Sequence, residues 1–155
     1  MSRYQWSQLS KQQVGAYTEY FVKMELTMHG FQVYETEVDD RGIDFIARYK
    51  RGPYLQVQVK SIRSHGYVFM EKTKFELHEH TYLALGLLCE SEPPSLFLVP
   101  SAAWQSPGGV FVERNYEGRK SKPEWGLNLS KKHLASLEPF RFESVAARLT
   151  EDAGV

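Results

Sequence analysis

The sequence predicts an α/β fold: a mixed central β-sheet of about five strands flanked by helices. Three observations lead there. A long amphipathic helical pattern opens the chain and is followed by short segments with β periodicity. Residues 42–60, GIDFIARYKRGPYLQVQVK, read as two strands joined by a tight hairpin, with apolar side chains recurring at a period near two. Two continuous apolar runs, Thr81 to Cys89 and Ser95 to Val99, read as strands buried on both faces. Such strands belong in the middle of a sheet with helices on at least one side. The 155 residues are expected to form a single domain, 1–155.

The elements follow in order. Ser7 or Ser10 is placed to cap the first helix, which runs to about His29 and stops at Gly30. Glu19, Val22 and Leu26 share one face of it. With Val22 and Leu26 on the sheet, Glu19 lies one turn along and points at the sheet edge near Asp44. Tyr17, Phe21, Met24 and Met28 form a second stripe, which needs cover from the C-terminal part or from another subunit. A homodimer is therefore expected. Phe31 to Glu37 reads as a strand, and residues 38–42 turn the chain. Asp39 and Asp40 suit that turn, with the option of lending charge to a metal.

In the hairpin, Asp44, Ile46 and Arg48 alternate with Ile43, Phe45 and Ala47. Gln56, Gln58 and Lys60 alternate with Leu55, Val57 and Val59. Lys50, Arg51, Gly52 and Pro53 make the turn, with Gly52 tolerant of positive φ. Gln58 and Lys60 point the same way, and the hairpin brings Asp44 to their face. A carboxylate, an amide and an ammonium on one sheet face are costly to bury unless they do something.

Beyond Ser61, a loop at Ser64 to Gly66 leads into a short strand, Tyr67 to Met70. His78 and His80 have metal-ligand character, but no third and fourth ligands accompany them, which favours a structural or exposed role. Ser101 caps a short turn holding Trp104. Val110 to Glu113 is an edge strand, and Asn115 to Pro123 a polar, basic loop. Glu124 to Leu129 is a strand, Ser130 caps a helix through about Leu137, and Phe142 to Thr150 is a last short helix.

Nineteen basic and nineteen acidic residues cancel. Between Arg41 and Lys74, however, eight bases face only Asp44 and Glu71. That local excess, centred on the hairpin, makes Arg41, Arg48, Lys50, Arg51, Arg63, Lys72 and Lys74 candidates for contact with a polyanion. The lone Cys89 excludes an internal disulfide and a cysteine-rich zinc site. No apolar run approaches the ~20 residues that span a bilayer, and no leader pattern opens the chain, so a cytoplasmic, membrane-free protein is expected.

Asp44, followed after a hairpin by Gln58-x-Lys60, resembles the core of the PD-(D/E)XK nuclease superfamily. The resemblance is closest to the branch that holds archaeal Holliday-junction resolvases and some homing endonucleases. That branch carries a glutamate on the preceding helix, and Glu19 falls at the matching place. The resemblance covers roughly Gly15 to Ser61. Most of the superfamily has an acid where this chain has Gln58, although glutamine is known there in some branches.

The resemblance implies a metal-dependent endonuclease that hydrolyses phosphodiester bonds in DNA at a Glu19/Asp44/Gln58/Lys60 site. Magnesium is the expected ion, with manganese as substitute. Asp44 and Glu19, the Gln58 amide oxygen and the Val59 carbonyl would be its ligands. Lys60 would orient the attacking water and stabilise developing charge. Two alternatives stay open: a degenerate relative that binds nucleic acid or protein without cutting, and an oligomeric interaction module that works through its aromatic surface.

Overall fold

The structure, a computed structural model, describes residues 2–37 and 42–153. A short 3-10 turn, Trp6–Gln8, leads into helix α1, Lys11–Met28. Ser10 caps the helix through a full capping box. Its hydroxyl accepts from the Gln13 N–H at 3.1 Å, and the Gln13 side chain accepts from the Ser10 N–H at 2.8 Å. Gly30, at φ +92°, ends it as expected.

Strands β1 (Gln32–Glu35), β2 (Phe45–Arg48) and β3 (Leu55–Arg63) follow. Next come β4 (Tyr67–Glu71), β5 (Thr81–Leu88) and β6 (Ser95–Pro100). The last two strands are β7 (Phe111–Arg114) and β8 (Glu124–Asn128), and helix α2 spans Phe142–Ala153.

The main sheet has five strands in the order β1-β2-β3-β5-β6, with β3 and β5 parallel and the other pairs antiparallel. The predicted α/β architecture with its mixed central sheet is present. On one face Val22 and Leu26 of α1 and Phe142, Val145 and Ala146 of α2 pack on Phe45, Ala47, Leu55, Val57, Ala84 and Leu98. On the other face a separate three-stranded sheet, β4-β8-β7, packs mainly over the β5–β6 half, with Ile62 of β3 at its margin. There Val68, Met70 and Leu127 close on Leu83, Leu85, Phe97 and Val99 around Trp104. The continuous apolar runs thus have the two-sided burial their sequence asks for.

Several details differ from the sequence reading. The hairpin residue at positive φ is Lys50 (φ 49°), not Gly52. The Gly52 carbonyl instead accepts from Arg48 Nε at 2.8 Å, and a side chain there would meet Ala153. Ser130 makes no capping bond, and residues Lys131–Phe140 form successive 3-10 turns with Pro139 inside them. Pro139 has no N–H to give a regular helix. The Tyr17–Met28 stripe divides. Tyr17 packs edge-on against Trp6 and Phe21 joins the main core, while Met24 and Met28 stay exposed beside Tyr20.

Candidate active site

The site begins where β2 starts. Asp44 lies one residue before β2, and its backbone N–H donates to the Val57 carbonyl at 2.9 Å. Peptide groups two apart on a strand point the same way, so Val59 also presents its N–H and C=O toward β2. No β2 residue pairs with Val59. The Asp44 carboxylate takes that place, and its Oδ2 accepts from the Val59 N–H at 2.6 Å. The carboxylate is thereby anchored on the backbone between Gln58 and Lys60.

Gln58 and Lys60 share a face of β3, as the alternation predicts, and it is the face turned away from α1. Gln58 lines a cavity of about 240 Å³ with Gly42, Gln56 and Lys74. Gly42 has φ +78°, and a methyl group on it would come to 3.0 Å from Gln58 Nε2 and 2.5 Å from the Lys74 carbonyl oxygen. Only glycine suits that conformation and that approach. Gln58 Oε1 is buried and, among the described residues, has no hydrogen-bond partner. Lys60 lines a larger cleft of about 860 Å³ with Lys11, Gly15, Val59 and Arg63.

Glu19 is placed by its neighbours on α1. One turn before it, Gly15 lines the same cleft as Val59 and Lys60. One turn after it, Lys23 carries its ammonium 5.5 Å from the centre of the Phe45 ring, next to Asp44 in sequence. Lys23 pairs with Glu19 at 3.6 Å and with Glu35 at 2.9 Å. Partial burial works against the Lys23 charge, but the hydrogen bond to Glu35 and the field of Glu19 outweigh it, and the pKa is raised. Lys23 and Lys11 are functional candidates that only the structure brings forward. Their signal in the sequence is the i, i+4 series Lys11, Gly15, Glu19, Lys23, a single stripe along the helix.

The other named residues scatter. Arg48 is engaged locally: its Nη1 donates to the Tyr54 hydroxyl at 2.9 Å, and its guanidinium lies 4.4 Å over the Tyr54 ring. Lys50 sits 5.2 Å from the Tyr49 ring centre, and Arg51 is exposed at the hairpin tip. Arg63 donates to the Leu9 carbonyl at 2.8 Å at the cleft rim. Lys72 is tied to Glu113 and Asn115 and stacks over Trp125, whereas Lys74 lines the Gln58 cavity. Arg41, Asp39 and Asp40 lie outside the described residues.

His78 and His80 sit outside any strand, with Nδ1 of His78 accepting from the His80 N–H at 3.2 Å. Among the described residues no group of three or more His, Cys, Asp or Glu side chains is arranged to hold a metal. Nor is any helix among them long and apolar enough to cross a membrane.

A mixed five-stranded sheet with α1 on one face and an acid, Gln-x-Lys hairpin at its centre is the restriction-endonuclease-like core. Comparison with solved structures bears this out at the level of the fold. The Holliday junction resolvase of Archaeoglobus fulgidus, an archaeal hyperthermophile, superposes with a TM-score of 0.53 at 15% identity, over 86% of this chain and 95% of that one. A bacterial homing endonuclease superposes with a TM-score of 0.54 at 15% identity, over 94% of this chain and 97% of that one. Both are nucleases of the branch that the Asp44…Gln58-x-Lys60 pattern resembles. No protein-family model and no curated protein matches the sequence.

Proposed function

We propose that the protein is a metal-dependent endonuclease that hydrolyses phosphodiester bonds in DNA. The observation that carries this reading is the Asp44 carboxylate bound to the backbone of Val59, between Gln58 and Lys60, in a fold shared with two DNA-cleaving nucleases.

The donors suit a hard divalent cation. Asp44 and Glu19 offer carboxylate oxygens, Gln58 an amide oxygen and Val59 a carbonyl. A buried oxygen without a partner costs about 1–3 kcal/mol, and a cation at Gln58 Oε1 would relieve that cost. Two carboxylates are few for such a site, which fits the absence of a three-acid group among the described residues. Substrate phosphate oxygens and water would complete the shell. Magnesium, or manganese in its place, would polarise the phosphoryl group and lower the pKa of a bound water.

The chain's own residues divide the remaining work. Asp44 keeps its carboxylate in place through the Val59 N–H. The Lys60 ammonium, in the open cleft, orients the attacking water and neutralises charge that develops on the phosphoryl oxygens. Lys23 holds Glu19 while also pairing with Glu35, and a cation bound by Glu19 would compete with Lys23. Lys11 and Arg63 place two further positive charges along the cleft for the DNA backbone.

The test is cleavage of plasmid and branched DNA with and without magnesium or manganese, by the wild type and by Lys60→Ala. Metal-dependent cuts lost in the variant support the reading. Binding of DNA without cuts under any metal supports the degenerate relative instead. A homodimer remains part of the proposal, resting on the exposed Tyr20, Met24 and Met28. Light scattering that shows a monomer at tens of micromolar removes it.

A further inference from the structure

The cleft beside Lys60 has a second wall. With Lys11, Lys60 and Arg63, the space is lined by Tyr67, Val68 and Phe69 of β4, and among the described residues no acidic side chain lines it. Period-two alternation sends Val68 and Met70 into the core and leaves Phe69 outside, 49% exposed. The Phe69 ring is stacked on Tyr67, with centroids 6.3 Å apart and planes within 17°.

Tyr67 is fixed from several directions. Its hydroxyl crosses β8 to donate to the buried Glu124 carboxylate. It passes over Gly126, where a methyl group would come within 2.0 Å of the hydroxyl oxygen. The Arg114 guanidinium lies over the Tyr67 ring, 4.3 Å from its centre. The exposed ring of Phe69 is thus backed by a second ring that cannot easily move.

We infer that Phe69 is a stacking platform for an unpaired nucleobase. A base offers a flat apolar face to the ring while its phosphate meets Lys11, Lys60 and Arg63 in the same cleft. A base within a regular duplex has both faces occupied by its neighbours, so the platform selects strands with unpaired or splayed nucleotides. The selectivity acts through base faces and not hydrogen-bonding edges, and it is tolerant of sequence. The inference rests on the nuclease reading for its choice of DNA, and it adds that the preferred DNA carries locally unpaired or splayed nucleotides.

The experiment uses the full chain in EDTA, with two DNA probes of equal length: a plain duplex, and a branched duplex with an unpaired tract bearing 2-aminopurine. Fluorescence anisotropy reads affinity, and 2-aminopurine quenching reads stacking. Phe69→Ala and Phe69→Leu should lose roughly tenfold in affinity for the branched probe and lose the quench. Both should bind plain duplex within about twofold of wild type, and Phe69→Trp should restore stacking. Phe69 is outside the core, so all three should melt near the wild-type temperature. Equal weakening on both probes, or no change on either, overturns the proposal. So does a partner protein that binds this face in competition with no DNA. Cleavage in magnesium separates the two readings: cutting with Phe69-independent binding sinks the platform alone, and Phe69-dependent binding without cutting sinks the enzyme alone.

Discussion

The two halves of the main sheet differ in pattern and in cover. Along β5 and β6, Leu83, Leu85, Leu98 and Val99 are all inaccessible or nearly so, because one face meets the helices and the other meets the second sheet. Along β2 and β3, Phe45, Ala47, Leu55 and Val57 are buried toward the helices, but on the far face only Ile62, near the end of β3, joins the core under the second sheet. That face carries Gln56, Gln58 and Lys60. Gln56 and Gln58 line one cavity there and Lys60 lines the other. On the proposed reading, packing gives way to chemistry where the second sheet stops. Changes in the covered half should therefore cost stability, and changes in the open half should cost activity.

Trp104→Ala is the sharpest blow to the covered half. The indole is wholly buried and donates to the Gly126 carbonyl at 2.8 Å. The loss should be about 3–5 kcal/mol, from removed apolar contact and the cavity left behind. Urea denaturation measures it, and a loss under ~1 kcal/mol would show that the second sheet does not depend on this centre.

Tyr67→Phe comes next, on the boundary between the halves. It leaves the buried Glu124 carboxylate without its donor and should cost about 1–3 kcal/mol. Burial first, and then the hydrogen bond to Glu124 and its charge, raise the Tyr67 pKa well above the ordinary phenol value. A raised acid favours folding in its protonated form. The contribution is full below the unfolded value of about 10 and is lost as pH rises toward the folded one. Wild type should thus lose stability above about pH 10 more steeply than Tyr67→Phe. Parallel melting curves for the two proteins across that range would contradict this.

Gln58→Glu probes the open half and should do the reverse of damage. It adds one charge at the candidate ligand position, and after desolvation and repulsion by Asp44 the net gain is about 1–2 kcal/mol, near tenfold in magnesium affinity. Calorimetric titration without DNA decides it; unchanged or weaker binding would place residue 58 away from any metal. The smallest effect belongs to a remote cap. Ser10→Ala should cost about 1 kcal/mol in thermal melting and leave cleavage alone, since it removes only the hydroxyl that accepts from the Gln13 N–H and keeps the reciprocal bond from the Ser10 N–H.

The sequence carried the main sheet well, because period-two alternation marks one-sided strands and unbroken apolar runs mark two-sided ones. It also carried α1, through Ser10 and Gly30, and the face shared by Gln58 and Lys60. The second sheet was hidden. Its strands are four or five residues long, and β4 finds its partner at Tyr67↔Asn128, far along the chain. Local pattern shows that such strands exist but not which sheet they join. The Asp44 bond to Val59 was hidden for another reason: a carboxylate capping the end of a strand pair leaves no periodicity. Lys23 reads as an ordinary solvated lysine until Glu35 of β1 is folded against it.

The central claim is that the open half of the sheet holds a metal-dependent phosphodiesterase site. The most direct test is quantitative cleavage of branched and plain DNA in magnesium by wild type, Lys60→Ala and Asp44→Asn, with each protein's melting temperature measured alongside. Asp44→Asn keeps an oxygen to accept from Val59 while removing the charge. The account predicts cutting by wild type that stops in EDTA, and losses of at least about a hundredfold in both variants with melting nearly unchanged. Equal, partial losses in the two variants, or cutting that persists in EDTA, would contradict it.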